Sequence, residues 1–178
     1  MDKTENAIEL TDLRLACKQF AMLYFHFCKT LKDAFGADKA LPIAQKAVFE
    51  FGLDRTDRAR ERAAALGIET NVENFPQAND LPSIAWTGWK QEMGGVRCPY
   101  AEVWLGYFEA NAWFKPFASM YCDVIDTTNI ENFTRTTSQK ITKNLLWGDD
   151  CCEREYFESA AAKEGKYSYG ERAGSLEI

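Results

Sequence analysis

Ile141-Thr142-Lys143-Asn144-Leu145-Leu146-Trp147-Gly148-Asp149-Asp150-Cys151-Cys152 is the stretch whose reading decides the fold. Gly148-Asp149-Asp150 is a turn signal, because glycine accepts positive φ and an aspartate side chain bonds nearby backbone. Residues 134–147 before it are rich in β-formers. Ile141, Lys143, Leu145 and Trp147 fall on one face, Thr142, Asn144 and Leu146 on the other. Cys151 to Phe157 reads as the returning strand, so the two runs predict an antiparallel hairpin. In such a strand Cys151 and Cys152 point to opposite faces. Asp149 has two readings at this stage, an Asx-type turn or the acid of an active site.

Upstream of the hairpin, Arg97-Cys98-Pro99-Tyr100-Ala101-Glu102 follows the turn signal Gly94-Gly95. Proline suits the first position of a helix, where its missing N–H has no partner to lose. That puts Cys98 at the N-cap and Glu102 in the first turn. Free amides and the positive end of the helix dipole favour a thiolate there, although a free cysteine is often only a small hydrophobe. Val103, Trp104, Tyr107 and Phe108 continue at helical spacing. Pro116 interrupts, and a second helical piece is predicted over about 117–124. These aromatics suit core packing, and equally an aromatic-lined pocket for a small planar ligand.

The N-terminal part is helical. Thr11-Asp12 caps a predicted helix to Phe35, with Leu13, Cys17, Phe20, Tyr24, Phe27, Cys28 and Leu31 at spacings of three and four. Gly36 ends it. A second helix carries Leu41, Ala44, Val48 and Phe51 and stops at Gly52. A third, Arg55 to Leu66, is closed by Gly67. His26 lies off the main stripe of the first helix; its pKa qualifies it as a base, but a lone helical histidine is commonly packed or solvated. Residues 69–82 read as loop, and strand character begins at Ser83. The prediction is α+β: N-terminal helices (about 11–67) packed on an antiparallel sheet (within about 83–158), one domain over 1–160, and a loose tail over 161–178.

The composition narrows the partners. The chain has 178 residues, is 46% hydrophobic and 27% charged, and carries a net charge of -6. With no basic block, nucleic acid and anionic membrane are not expected partners. No apolar run approaches the ~20 residues that span a bilayer. The polar start, Met1-Asp2-Lys3-Thr4-Glu5-Asn6, does not read as a signal peptide. A cytoplasmic protein is expected, with all 6 cysteines as thiols. One histidine and no Cys-x-x-Cys pair give no zinc spacing, so no metal or cofactor is expected. A homo-oligomer stays open.

Three motifs together carry a resemblance: Arg97-Cys98-Pro99, Cys122-Asp123, and Gly148-Asp149-Asp150-Cys151-Cys152. With Phe35-Gly36-Ala37 and the alanine-rich helices, they resemble the L-2-amino-thiazoline-4-carboxylic acid hydrolase family over residues 12–158. The hairpin is also similar to the end of 4-vinyl reductase domains, small-molecule binders related in fold to TRAPP trafficking subunits. The resemblance implies hydrolytic opening of a small cyclic C–N, amidine-like carboxylate at its C=N carbon. That chemistry needs a nucleophile or activated water, an acid, and a cation for the carboxylate. Cys98 fits the first, Glu102 or Asp149 the second, and Arg97 the third. Cys122, Trp104 and His26 are further candidates for contacting substrate. The rival expectation is a sensor-like binding domain without turnover, and a third is an adaptor-type interaction subunit.

Overall fold

The computed structural model describes residues 3–86 and 98–170. It is an α+β arrangement, mostly helical, with a two-stranded antiparallel sheet. Helix α1 spans Lys3–Phe35, α2 Ala37–Leu66, α3 Phe75–Ala78, α4 Pro99–Phe108 and α5 Lys115–Thr134. Strand β1 is Thr137–Lys143, β2 is Glu153–Glu158, and the short α6 is Ala160–Lys163. No helix among the described residues is long and apolar enough to cross a membrane.

The helix α1 begins ahead of Thr11-Asp12, because nothing in residues 3–12 breaks a helix; the two residues sit exposed within it. Its inner stripe is Cys17, Ala21, Tyr24, Phe25 and Cys28. Gly36 turns the chain at φ 80, a left-handed value that glycine adopts without a Cβ penalty. The two helical pieces expected on either side of Gly52 are one helix, α2. Gly52 does not stop it; the glycine lies buried where α2 crosses α5, and an added Cβ would stand 3.0 Å from Thr128 Cγ2. Close helix approach, not chain reversal, explains that glycine. Gly67 closes α2 in the left-handed region, as expected.

Cys98 is the N-cap of α4 and Pro99 opens the helix. The strand expected from Ser83 is instead a turn of 3-10 helix over Ser83–Trp86; the remainder, with Gly94-Gly95, lies outside the described residues. Helix α5 starts at Lys115, with Pro116 in its first turn, and runs ten residues past Val124, to Thr134. Strands β1 and β2 pair antiparallel from Thr137↔Glu158 to Lys143↔Glu153, with a bulge between Ile141 and Lys143. After the bulge, Leu145–Trp147 form a turn of 3-10 helix, so Leu145 and Trp147 do not extend the face of Ile141. β2 starts at Glu153, which leaves Cys151 and Cys152 in the turn.

The core joins α1, α2, α4 and α5 around Tyr24, Phe25, Trp104, Phe114, Phe117 and Tyr121. The segment after Ser159, expected as a loose tail, docks on α5 as far as Gly170. Tyr167 donates to Asn132 Oδ1 at 2.8 Å, and the Ser168 amide donates to Glu131 at 2.8 Å. Buried acceptors on α5 supply what composition alone withholds from this segment.

Candidate functional site

Cys98 occupies the N-cap predicted for it, yet its thiol moves opposite to the expected direction. Burial dominates and pushes it up to about 11; the Ala101 and Tyr100 amides pull it down, while Cys152 and Asp126 push it further up. The residue keeps some exposed surface, but the sulfur end packs against the core cluster. No cap hydrogen bond forms to the sulfur. An N-terminal position lowers a thiol only while its donors outweigh desolvation, and here they do not.

Cys98 has company. Cys122 comes from the middle of α5, and Cys152 follows the hairpin turn. Burial raises the Cys122 thiol well above its usual range, with Asp126, Cys98 and Cys152 adding to the effect. The Cys152 thiol lies 3.9 Å from Asn144 Oδ1, its hydrogen-bond acceptor. Beside the sulfurs, Arg154 of β2 donates from Nε to Asp126 of α5 at 3.1 Å, and its Nη2 reaches the same oxygen. Burial opposes the charge on Arg154, but Asp126 outweighs it and holds the guanidinium cationic. The corner therefore holds three cysteines and one ion pair, brought together from three separate motifs. No described group of His, Cys, Asp and Glu has a metal-holding arrangement.

The other candidates are engaged elsewhere. Both Glu102 oxygens are taken by α1: Arg14 Nη2 on Oε1, and Lys18 Nζ on Oε2 at 2.6 Å. That carboxylate ties α4 to α1. Asp149 Oδ2 accepts the Asn144 amide at 2.7 Å, which is the turn-closing alternative. Trp104 is fully buried and donates from Nε1 to Ala21 O at 2.9 Å, as a core residue. His26 is exposed on α1, edge-on to Phe25. Arg97 lies outside the described residues.

Sequence reasoning missed Asp126 and Arg154. The spacing from Cys122 to Asp126 is one helical turn and puts both on one face, but a helix predicted to end at Val124 hides the relation. Also missed was a cluster of packed aromatic rings that includes Tyr100, two residues from Cys98. Phe20 of α1 lies 5.8 Å from Phe51 and 5.6 Å from Tyr100, ring centre to ring centre. Tyr121 stands 5.8 Å from Tyr100 with the rings nearly perpendicular, and Trp86 meets Tyr100 edge-on.

No family model, no curated protein and no solved structure matches this chain.

Proposed function

We propose that the chain holds a small planar molecule against the cysteine corner and hydrolyses a cyclic C–N bond in it, without a cofactor. One observation carries this reading: Cys98, Cys122 and Cys152, from three separate motifs, pack against one core cluster and bear electrostatically on one another and on the Asp126–Arg154 pair. A neutral thiol is a weak nucleophile, so its proton has to leave as the sulfur attacks. Asp126 is the carboxylate at hand, and it replaces Glu102 and Asp149 in the acid–base role. In this reading the Cys98 sulfur adds to the C=N carbon while its proton, relayed by Asp126, goes to the ring nitrogen. The ring C–N bond breaks and the nitrogen leaves as an amine. Water adds to the same carbon and expels Cys98 as the thiol, so the net change is one water gained.

The test is incubation with 2-aminothiazoline-4-carboxylate, read by mass spectrometry for the gain of one water. Cys98→Ser and Asp126→Asn are expected to lower turnover by about a hundredfold or more with unchanged far-UV circular dichroism. Turnover that survives both substitutions refutes the assignment. Burial of the Cys98 and Cys122 thiols specifically favours a second reading, a binding domain without turnover. Saturable binding with no product identifies that one.

A further inference from the structure

We infer that Arg55, Tyr100 and Tyr121 form the seat for the carboxylate of a small planar ligand. The inference rests on the small-molecule reading above and names the anchoring group that reading leaves unassigned. Arg55 projects from α2, with 11% of its side chain exposed. Asp80 accepts from its Nε at 3.0 and 3.2 Å and also from Nη2, and Asn79 Oδ1 takes a further Nη2 bond at 3.3 Å. These contacts fix one edge of the guanidinium. Nη1 donates to no described residue, so its N–H groups remain as charged donors for a carboxylate oxygen. The same group lies over the Phe51 ring, 5.4 Å from its centre.

The second observation is independent. Tyr121 is 2% exposed, and its hydroxyl has no hydrogen-bond partner. A buried donor left unpaired is costly, and an acceptor supplied by a ligand removes that cost. Tyr100 lies alongside, its ring 5.8 Å from that of Tyr121; burial pushes its phenol up, and Arg55 and the Tyr121 hydroxyl pull it only partly back. Arg55 bears on both phenols. Tyr100 lies two residues after Cys98 at the start of α4, and Tyr121 directly precedes Cys122 in α5. The rings of Phe20, Phe51, Trp86 and Tyr100 supply flat apolar faces. A cation whose Nη1 has no described partner, an unpaired buried phenol and neighbouring aromatic rings match a planar carboxylate. A ligand seated there extends toward the cysteine corner.

Isothermal titration calorimetry with benzoate, benzamide and 2-aminothiazoline-4-carboxylate on the full chain tests this. Both carboxylates are expected to bind, and benzamide at least about tenfold more weakly. Arg55→Lys keeps a charge for Asp80 but removes Nη1, and should weaken benzoate about tenfold or more. Tyr121→Phe should weaken benzoate while raising the melting temperature of the free protein, since it deletes an unpaired buried hydroxyl. The raised melting temperature separates loss of binding from loss of folding. The seat is overturned if neither carboxylate binds, if benzamide binds as well as benzoate, or if both variants bind like wild type. Arg55-dependent carboxylate binding without ring opening removes the hydrolase and leaves the seat. Ring opening with an unchanged KM in Arg55→Lys does the reverse.

Discussion

Raising the pH in steps while alkylating the protein with limiting iodoacetamide gives a direct reading of Cys98. Burial moves its pKa from an ordinary 9.0 to about 11. At neutral pH that lowers the thiolate fraction about a hundredfold relative to an unperturbed cysteine. A more basic thiolate is intrinsically more nucleophilic, by about six- to tenfold over this range with a Brønsted coefficient of about 0.4–0.5. The net expectation is alkylation at least about tenfold slower than a cysteine tripeptide, before restricted access slows it further. The rate should still climb as pH passes 9. Site-resolved mass spectrometry of the labelled peptide measures both features. The same shift acts on stability. The folded chain keeps this proton to higher pH than the unfolded chain, so the contribution is complete below pH 9 and is lost as pH rises toward 11. Fast labelling of Cys98 at neutral pH, with a plateau below pH 9, refutes the argument. It would mean that the helix-terminal amides outweigh desolvation after all.

Further outcomes follow from single contacts. Gly52→Ala gains about 1 kcal/mol of helix propensity, but its Cβ meets Thr128 Cγ2 at 3.0 Å and Ile125 Cδ1 at 3.3 Å. Overpacking costs about 1–3 kcal/mol, so thermal melting should show net destabilisation. Gly106→Ala in α4 meets no atom within 4 Å and should stabilise by about 0.5–1 kcal/mol; the same sign for both glycines contradicts the packing argument. Asp149→Ala removes the acceptor for the Asn144 amide and should cost about 0.5–2 kcal/mol, by analogy with helix caps. A variant with full stability but no turnover would return Asp149 to the active site. Ser168→Ala takes one hydroxyl from Glu131, which is 1% exposed, and should cost about 1.5–3 kcal/mol in denaturant unfolding; an unchanged midpoint would mean that the docked segment adds nothing.

Local chemistry made part of the fold legible. Cys98-Pro99 announces a helix start because proline tolerates only a few helix positions, and that start is where α4 begins. Gly36, Gly67 and Gly148 mark chain turns because each adopts positive φ. Gly52 has the same residue type and a different cause. Its reason for being glycine is Thr128 on another helix, seventy-six positions away, and no local pattern carries that. The thiol of Cys98 follows the same division. Its N-cap position is local, while the burial that sets its ionisation comes from the core packed around it.

The end of α5 shows why the site itself stayed hidden. Thr127, Thr128, Asn129, Glu131, Asn132 and Thr134 are polar, and five of them are β-branched or short side chains that compete with helix hydrogen bonds. By propensity the helix ends before them. In the structure all six are buried, and tertiary partners compensate part of that burial. Asn132 Nδ2 donates to Thr56 Oγ1 at 2.6 Å and to Asp57 at 2.9 Å, and Ser138 Oγ donates to Glu131 at 2.6 Å. Such partners sit on α2 and β1, so the helix is legible only once those elements are in place. Extending α5 brings Asp126 one turn beyond Cys122 and presents it to Arg154 of β2. The carboxylate of the cysteine corner thus depends on a helix continuation that long-range hydrogen bonds support. A search for acids by local sequence therefore stops at Glu102 and Asp149, whose oxygens are held by α1 and by the Asn144 amide.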